Sequence, residues 1–192
     1  TLDLSGLATF KNNAPTTTMA LGTAAQNIVT LTLAATNYID VATLNIEATG
    51  GANGRSGTLN LGATNILYAS NLNVSTGKGG TTKIQFNAAV LDGGVTIAGT
   101  GGGAGRTSMI LGNGTSGSSV CNGQLLLAGH PANVMAGAVS LGGVGASTGN
   151  GSAGTVTFDN CTGYATSIRM GNSTSAHSSL GTFTVGGDAT HT

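Results

Sequence analysis

The residues of this sequence best suited to acid–base chemistry are six carboxylates spread along the whole chain: Asp3, Asp40, Glu47, Asp92, Asp159 and Asp188. Glycoside hydrolysis needs two such groups roughly 5 to 9.5 Å apart, one of them acting as the acid. Asp40 and Asp92 hold similar places in a sequence repeat, two units apart, which corresponds to about 10 Å on stacked strands. Since no Arg, Lys or His recurs beside them, we predict that the chain is not an enzyme.

A glycine-rich stretch and three histidines are the next candidates for binding chemistry. Gly99–Thr107 superficially resembles a phosphate loop, but it lacks the Gly-Lys-Ser/Thr ending and no helical pattern follows it. We interpret it as a corner between strands. The histidines share no repeat position, so neither a metal nor a cofactor is predicted. They are His130, which we place in a turn before Pro131, and His177 and His191.

Two cysteines, Cys121 and Cys161, lack the spacing of a metal site and are too few for a disulfide framework. The sequence leaves open whether they form one bridge in an exported protein or remain two buried thiols. They lie four residues before and five residues after the start of their nearest repeat units, which disfavours the bridge.

Composition excludes several classes of protein. Gly (34), Thr (30), Asn (17) and Ser (16) make up half of the 192 residues, and six basic residues balance six acidic ones. Helical bundles and polybasic nucleic-acid binders are therefore excluded, and no apolar run is long enough for a membrane helix. The mean hydropathy is positive, at +0.20, so the chain has apolar residues to bury and is not predicted to be disordered.

An internal repeat organises the chain. A triplet with apolar first and third residues returns at intervals of 29, 28, 25, 41, 31 and 27 residues. The apolar pairs are Leu2/Leu4, Leu31/Leu33, Leu59/Leu61, Ile84/Phe86, Leu125/Leu127, Val156/Phe158 and Phe183/Val185. A second triplet follows each of the first six by 11 to 17 residues, at Met19/Leu21, Leu44/Ile46, Leu72/Val74, Val95/Ile97, Val139/Leu141 and Ile168/Met170.

A third apolar point lies between the two triplets, at Phe10, Ile39, Leu67, Val90, Val134 and Tyr164. Each unit therefore predicts three short strands, since alternation places the outer residues of a triplet on one face. The 41-residue interval contains an additional triplet, Met109–Leu111, which predicts an extra strand or half-rung within residues 98–124.

Short strands joined by long polar segments without hairpin signals favour a coil of stacked rungs over a sandwich. We therefore predict an all-β, single-stranded β-solenoid (β-helix) that spans residues 1–192 as one domain. It has about six to seven rungs of roughly 25–31 residues, each with three short strands. Gly-rich segments such as Thr49–Gly57 and Gly142–Gly154 would form the corners.

Four segments carry a resemblance to a known family: Ser56–Gly62 (SGTLNLG), Ala69–Val74 (ASNLNV), Gly154–Asp159 (GTVTFD) and Thr166–Asn172 (TSIRMGN). They resemble the autotransporter-associated β-strand repeats of bacterial proteins. The resemblance implies a right-handed solenoid that is exported, extracellular or at the cell surface, and that serves as a stalk, fibre or adhesive surface. The family contributes no catalytic residues.

No polar cap or amphipathic helix is evident at either end of the repeat array, and the near absence of charge leaves nothing to oppose stacking. We therefore expect the chain to be a structural subunit or segment that joins head to tail with itself, or with flanking repeats of a longer chain. The interface is predicted within Thr1–Phe10 and Gly181–Gly187. Its residues are Thr1, Leu2, Asp3, Leu4, Leu7, Phe10, Thr182, Phe183, Thr184 and Val185.

Two alternative functions are less favoured. An adhesin or carbohydrate-binding module would bind glycans along the rod, for which only Tyr38, Tyr68 and Tyr164 provide aromatic platforms. An ice-binding solenoid needs a uniform row of Thr, whereas the middle residues of both triplet series are mixed in type. We expect neither nucleic-acid binding nor insertion into a membrane.

Overall fold

The computed structural model describes residues 1–22, 28–47, 56–76, 80–114, 121–145, 152–173 and 179–186. Within these ranges the chain forms fifteen strands and no helix, and the strands stack in parallel as a β-solenoid, which confirms the predicted fold class. Outside the described residues lie Asp188, His177, His191, Gly187 and, of the predicted corner segments Thr49–Gly57 and Gly142–Gly154, residues 49–55 and 146–151. The described parts of these two segments lie in the strands Ser56–Leu61, Pro131–Gly145 and Ser152–Phe158.

The first sheet contains seven parallel strands. In stacking order they are β1 (Leu2–Asp3), β3 (Ile28–Thr32), β5 (Ser56–Leu61), β7 (Gly80–Phe86), β10 (Cys121–Leu126), β12 (Ser152–Phe158) and β15 (Ser179–Val185). Their register aligns the first residues of all seven predicted triplets, from Leu2 and Leu31 to Val156 and Phe183. The alignment of the first triplet is therefore confirmed.

The second sheet contains the remaining eight strands. They are β2 (Thr9–Leu21), β4 (Thr36–Ile46), β6 (Thr64–Val74), β8 (Gly94–Ala98), β9 (Thr107–Leu111), β11 (Pro131–Gly145), β13 (Asn160–Tyr164) and β14 (Ser167–Ser173). Four long strands, β2, β4, β6 and β11, each cover two of the predicted short ones. The pairing shifts register within β2, between Ala14 and Thr18, and within β11.

We call one first-sheet strand and the second-sheet strands that follow it a level, and number the levels from β1 upwards. About five full turns are formed, slightly fewer than the six to seven predicted rungs. The first level begins with only two residues, and the described part of the seventh level consists of β15 alone.

The structure corrects the assignment of the fourth level. Met109 aligns with Leu72 and Val139, so Met109–Leu111 is the regular second triplet of that level. Val95/Ile97 is not the second triplet as predicted, because Ile97 aligns with Leu67 in the column of the third apolar point. The additional length of this repeat comes from two segments, residues 87–93 between β7 and β8 and the loop between β8 and β9.

The third apolar point is confirmed at Ile39, Leu67 and Val134, which share one inner column. The prediction is wrong at the other three positions, Phe10, Val90 and Tyr164. Phe10 aligns with Asn37, two residues before the column, Val90 lies in a turn, and Tyr164 aligns with Met135 on the outer face.

The core is a set of stacked apolar columns along the solenoid axis. Side chains of β5 alternate between half-buried and buried, as period-two geometry requires. In the second triplet column, Leu44, Leu72, Met109 and Val139 are all buried and stack on one another. Burial of each such side chain contributes roughly 1.5–3 kcal/mol.

A buried pair of asparagines closes the corner that follows the first sheet. Asn65 accepts a hydrogen bond from the Gly62 amide and donates to the carbonyls of Gly62 and Gly94, at 2.8–3.0 Å. It also accepts from Asn37 Nδ2 at 2.9 Å, and Asn37 donates to the Ala34 carbonyl. These amides replace backbone bonds that the turn cannot make.

The opposite corner is made by a column of residues with positive φ. The residue directly after the second triplet adopts the left-handed conformation in each of six levels: Gly22 (74°), Glu47 (52°), Ser75 (56°), Gly112 (71°), Gly142 (70°) and Gly171 (61°). Glycine predominates because a Cβ is disfavoured at these angles. At Gly112 a Cβ would also lie 1.7 Å from the Ala153 carbonyl oxygen.

Replacing Asn65 by Ala leaves several buried groups without partners, and we expect it to reduce the free energy of unfolding by about 2–3 kcal/mol or more. The control Asn73→Ala removes a half-exposed ladder bond to Asn45 and should cost about 1 kcal/mol or less. Urea unfolding of both variants measures the difference. Equal losses would contradict the role given to Asn65.

Gly112→Ala combines a strained φ with an overlap on the Ala153 carbonyl, and we expect it to destabilise the fold by several kcal/mol. The matched control is Gly129→Ala, since Gly129 has a φ of 83° but a Cβ added there would meet no atom within 4 Å. It should cost only about 1 kcal/mol. Thermal unfolding of the two variants separates overlap from strain, and similar melting temperatures would refute the close packing at Gly112.

Candidate functional site

The predicted interface residues lie at the two opposite ends of the solenoid. Thr1–Leu4, Leu7 and Phe10 are in the first level, which we call the lower end, and Thr182–Val185 are in β15 at the upper end. The side chains of Leu2, Leu7, Phe183 and Val185 are exposed. The structure therefore brings them together in two separate groups within one chain.

The upper end presents apolar side chains around an open hollow. The hollow has a volume of about 250 Å³, and its walls include Val139, Phe158, Ile168 and Phe183. Ile168 and Met170 of β14 are 44% and 54% exposed, although their counterparts in the lower levels are largely buried. Among the described strands, β13 and β14 pair only with β11, so their other edges have no partner.

The lower end is only partly covered. β1 pairs with β3 through Leu2 and Asp3, and Leu2 is 58% exposed. The first half of β3 has no described neighbour on this side, and Ile28 is 76% exposed. Asp3 accepts a hydrogen bond from the Ser5 amide at 2.9 Å, and hydrogen bonding by Ser5 lowers the pKa of Asp3.

Sequence reasoning missed two residues of these ends, Ile28 and Leu180, because both precede the apolar triplets. Leu180 is 64% exposed on the outer face of β15. Continuing the strand register places both in one outward column. That column reads Ile28, Ser56, Thr81, Asn122, Ala153 and Leu180. The signal in the sequence is thus an apolar residue at each end of a column that is otherwise small or polar.

If a second copy stacked on the upper end and continued the columns, charged residues of the two facing ends would not meet. Asp3 shares its column with Thr184, and Lys11 shares its column with Thr162. Arg169 at the upper end shares a column with an uncharged residue, Ala20, at the lower end. Each charged residue would therefore face a neutral one.

No disulfide joins the two cysteines, so the bridge that the sequence left open is not formed. Cys121 begins β10 in the first sheet and is fully buried. Cys161 lies in β13 in the second sheet, beside the hollow. Burial raises the pKa of the Cys161 thiol.

The two carboxylates that could have formed a catalytic pair are not equivalent in the structure. Asp40 lies within β4 and is buried, whereas Asp92 lies in the turn before β8. Asp40 accepts a hydrogen bond from the Gly101 amide at 3.1 Å, so it fastens the glycine-rich loop to the second sheet. Thr100 adds bonds to Ser70 and to the Val41 carbonyl.

The Gly99–Thr107 stretch is therefore a structural loop rather than a phosphate cradle. A backbone amide that would face a phosphate is bound to the carboxylate of Asp40. A strand, β9, follows the loop, so no helix dipole is directed at it. Gly102 lies against Tyr68, where a Cβ would come within 2.5 Å of the ring.

Asp159, Glu47 and His130 also make local contacts. Asp159 accepts a hydrogen bond from the Gly129 amide, and Thr82 donates one to the buried Glu47 at 3.2 Å. His130 lies in the predicted turn and stacks on Phe86, with ring centroids 3.8 Å apart. The described residues contain no group of three or more His, Cys, Asp or Glu positioned to hold a metal ion.

The outer faces of the strands carry mixed side chains linked by hydrogen bonds. On the first sheet, Gln85 donates to Asn60 and Asn60 donates to Thr32, at 3.0 and 3.2 Å. The adjacent outward column begins and ends with Thr but contains Lys83 and Gln124 between them. Neither column is a uniform row of Thr hydroxyls.

The tyrosines do not form a flat platform. Tyr38 and Tyr68 meet edge to face at an interplanar angle of 80°, and Lys11 lies over the Tyr38 ring. Burial, and then the carboxylate of Asp40, raises the pKa of Tyr38. Tyr68 is in β6 and Tyr164 is in β13. In the stacking order of the second sheet, β8 and β11 lie between these two strands.

Asp40→Ala removes the acceptor that holds Gly101, and we expect the loop to open more often. Amide hydrogen exchange at Gly101 should accelerate by about tenfold or more, which corresponds to about 1.4 kcal/mol of local stability. The control Asp92→Ala should leave this exchange rate unchanged. If both variants exchange at the wild-type rate, Asp40 does not fasten the loop.

Among the described residues, no helix is long and apolar enough to cross a membrane. Comparison with known proteins found no match to this chain among protein-family models, curated proteins or solved structures.

Proposed function

We propose that this chain is a structural β-solenoid unit that joins end to end, with other copies or with flanking repeats, to build an extracellular or cell-surface fibre, filament or stalk. The observation that carries the proposal is the pair of open ends. Each end has strand edges without described partners and exposed apolar side chains in columns that continue the core. Unpaired parallel edges are templates for further strands.

The electrostatic arrangement supports this proposal. The net formal charge is zero, and the few charges at each end lie in columns whose opposite end is neutral. Like charges brought within about 5 Å across an end-to-end contact would repel each other by roughly 1 kcal/mol even in water. Their absence leaves the ends free to associate.

The upper and lower ends are two different surfaces. A contact between the upper end of one copy and the lower end of the next is therefore heterologous. A heterologous contact that does not close into a ring gives an open filament or a continuous stalk. Negative-stain micrographs and sedimentation of the purified chain distinguish filaments from single particles. Elongated monomers that bind glycans would instead favour the adhesin function.

Val185→Pro tests the upper edge. Gly186 donates its amide to the Phe158 carbonyl at 2.8 Å, toward β12, so the neighbouring Val185 amide points to the open edge. Proline there leaves the β15–β12 ladder intact and obstructs an added strand. We expect the critical concentration for assembly to rise about tenfold or more, measured by sedimentation.

The matched control is Leu91→Ser, which removes an exposed apolar side chain far from both ends and should not affect assembly. Thr184→Pro is a weaker test, because the Thr184 amide points toward β12 and its loss weakens β15 itself. Filaments that form equally well from the Val185→Pro and wild-type chains would exclude the upper edge as an interface.

A further inference from the structure

The two ends of the solenoid are stepped differently. At the upper end, β15 pairs with β12 of the sixth level, and among the described residues no second-sheet strand follows it to lie on β13 and β14. At the lower end, β1 and β2 both belong to the first level. Suppose that β1 of one copy stacked on β15 of another and every strand stayed in place. The second sheet would then lack one level between β13 and β14 of the first copy and β2 of the next.

The strand that prevents a flush fit is β1, and it is weakly attached. It contributes two exposed residues, and the described backbone bond that continues its pairing runs from the Leu4 amide to the Thr32 carbonyl. It covers only the second half of the five-residue β3. By contrast, β15 pairs with β12 through all seven of its residues.

We propose that β15 of one copy replaces β1 of the next copy and pairs with the whole of its β3. This inference rests on the proposed end-to-end assembly and specifies its partner as a second copy of this chain. Phe183 takes the position of Leu2 beside Leu31, and Val185 takes the position of Leu4. The amides of Gly181, Phe183 and Val185 point to the open edge and can pair with β3.

The same shift seats β2 of the next copy directly on β13 and β14. The columns of the second sheet then continue without a gap. Met19 lies above Ile168, and Leu21 lies above Met170, so the exposed apolar residues of β14 become covered. Phe10 lies above Cys161 at the side of the hollow, which the added level closes.

The outward column identifies the occupant as a second copy. Leu180 of one copy would lie beside Ile28 of the next, which brings together the two large apolar residues exposed in this column. Their equivalents in the interior levels are small or polar: Ser56, Thr81, Asn122 and Ala153. Retention of β1 would leave Ile28 and Leu180 unpaired, because β1 does not reach them.

Deletion of residues 1–4 is the first test. Strand replacement requires β1 to be displaced from β3, and the deletion removes this step, so it should accelerate filament growth several-fold and lower the critical concentration. Stacking with β1 retained predicts slower growth instead, and that result would overturn the inference. Circular dichroism checks that the shortened chain remains folded.

Cysteine pairs provide a second test that does not depend on the deletion. In a Cys161→Ser background, Ile28→Cys and Leu180→Cys are made as separate proteins. Adjacent parallel strands are about 4.8 Å apart, within disulfide range. We expect disulfide-linked dimers only when the two proteins are mixed and oxidised, because each protein alone carries a cysteine at only one of its two ends.

The pair Asp3→Cys and Thr184→Cys is the counterpart, since these residues face each other only if β1 stays in place. Filaments that cross-link through this pair, and not through Ile28 and Leu180, would contradict strand replacement while leaving end-to-end assembly intact. Chains that remain monomeric, with no cross-link in either pair, would contradict both strand replacement and end-to-end assembly. That result is expected if other residues or another protein cover the upper end.

Discussion

The constraint on which this structure depends is in-register pairing of each strand with its equivalent one level away. Parallel hydrogen bonding sets this spacing at about 4.8 Å and places every side chain directly above its counterpart. The inner columns of the triplets are therefore apolar, as from Leu44 to Val139. A corner must likewise be solved at each level, by buried amides such as Asn65 or by residues with positive φ.

This constraint explains how much of the fold the sequence could predict. Alternation identified the first triplets, and their regular return implied stacking, which the register of Leu31 on Leu59 confirms. The fourth level was assigned wrongly because Val95/Ile97 and Met109–Leu111 have the same local pattern. Only the tertiary position of the intervening loop, fastened by Asp40, shows which triplet belongs to which column.

The ends were predictable in part for the same reason. Terminal triplets such as Phe183/Val185 are visible in the sequence, so end strands could be assigned. The step between the two sheets depends on which strands share a level, and no local pattern records that. Ile28 and Leu180 are single apolar residues at outward positions, and their relation appears only when the register joins them in one column.

Stacking also gives the scarcity of charge a physical cause. A charge repeated along a column would meet its equivalent at about 4.8 Å, with a repulsion of about 0.9 kcal/mol in water and more at the lower effective dielectric constant near a protein surface. The structure avoids this, since Lys11, Lys83 and Arg169 are each the only charged residue in their aligned columns. The same rule applies across a contact between copies. It is satisfied there as well, because Asp3, Lys11 and Arg169 each lie in a column whose residue at the opposite end is uncharged.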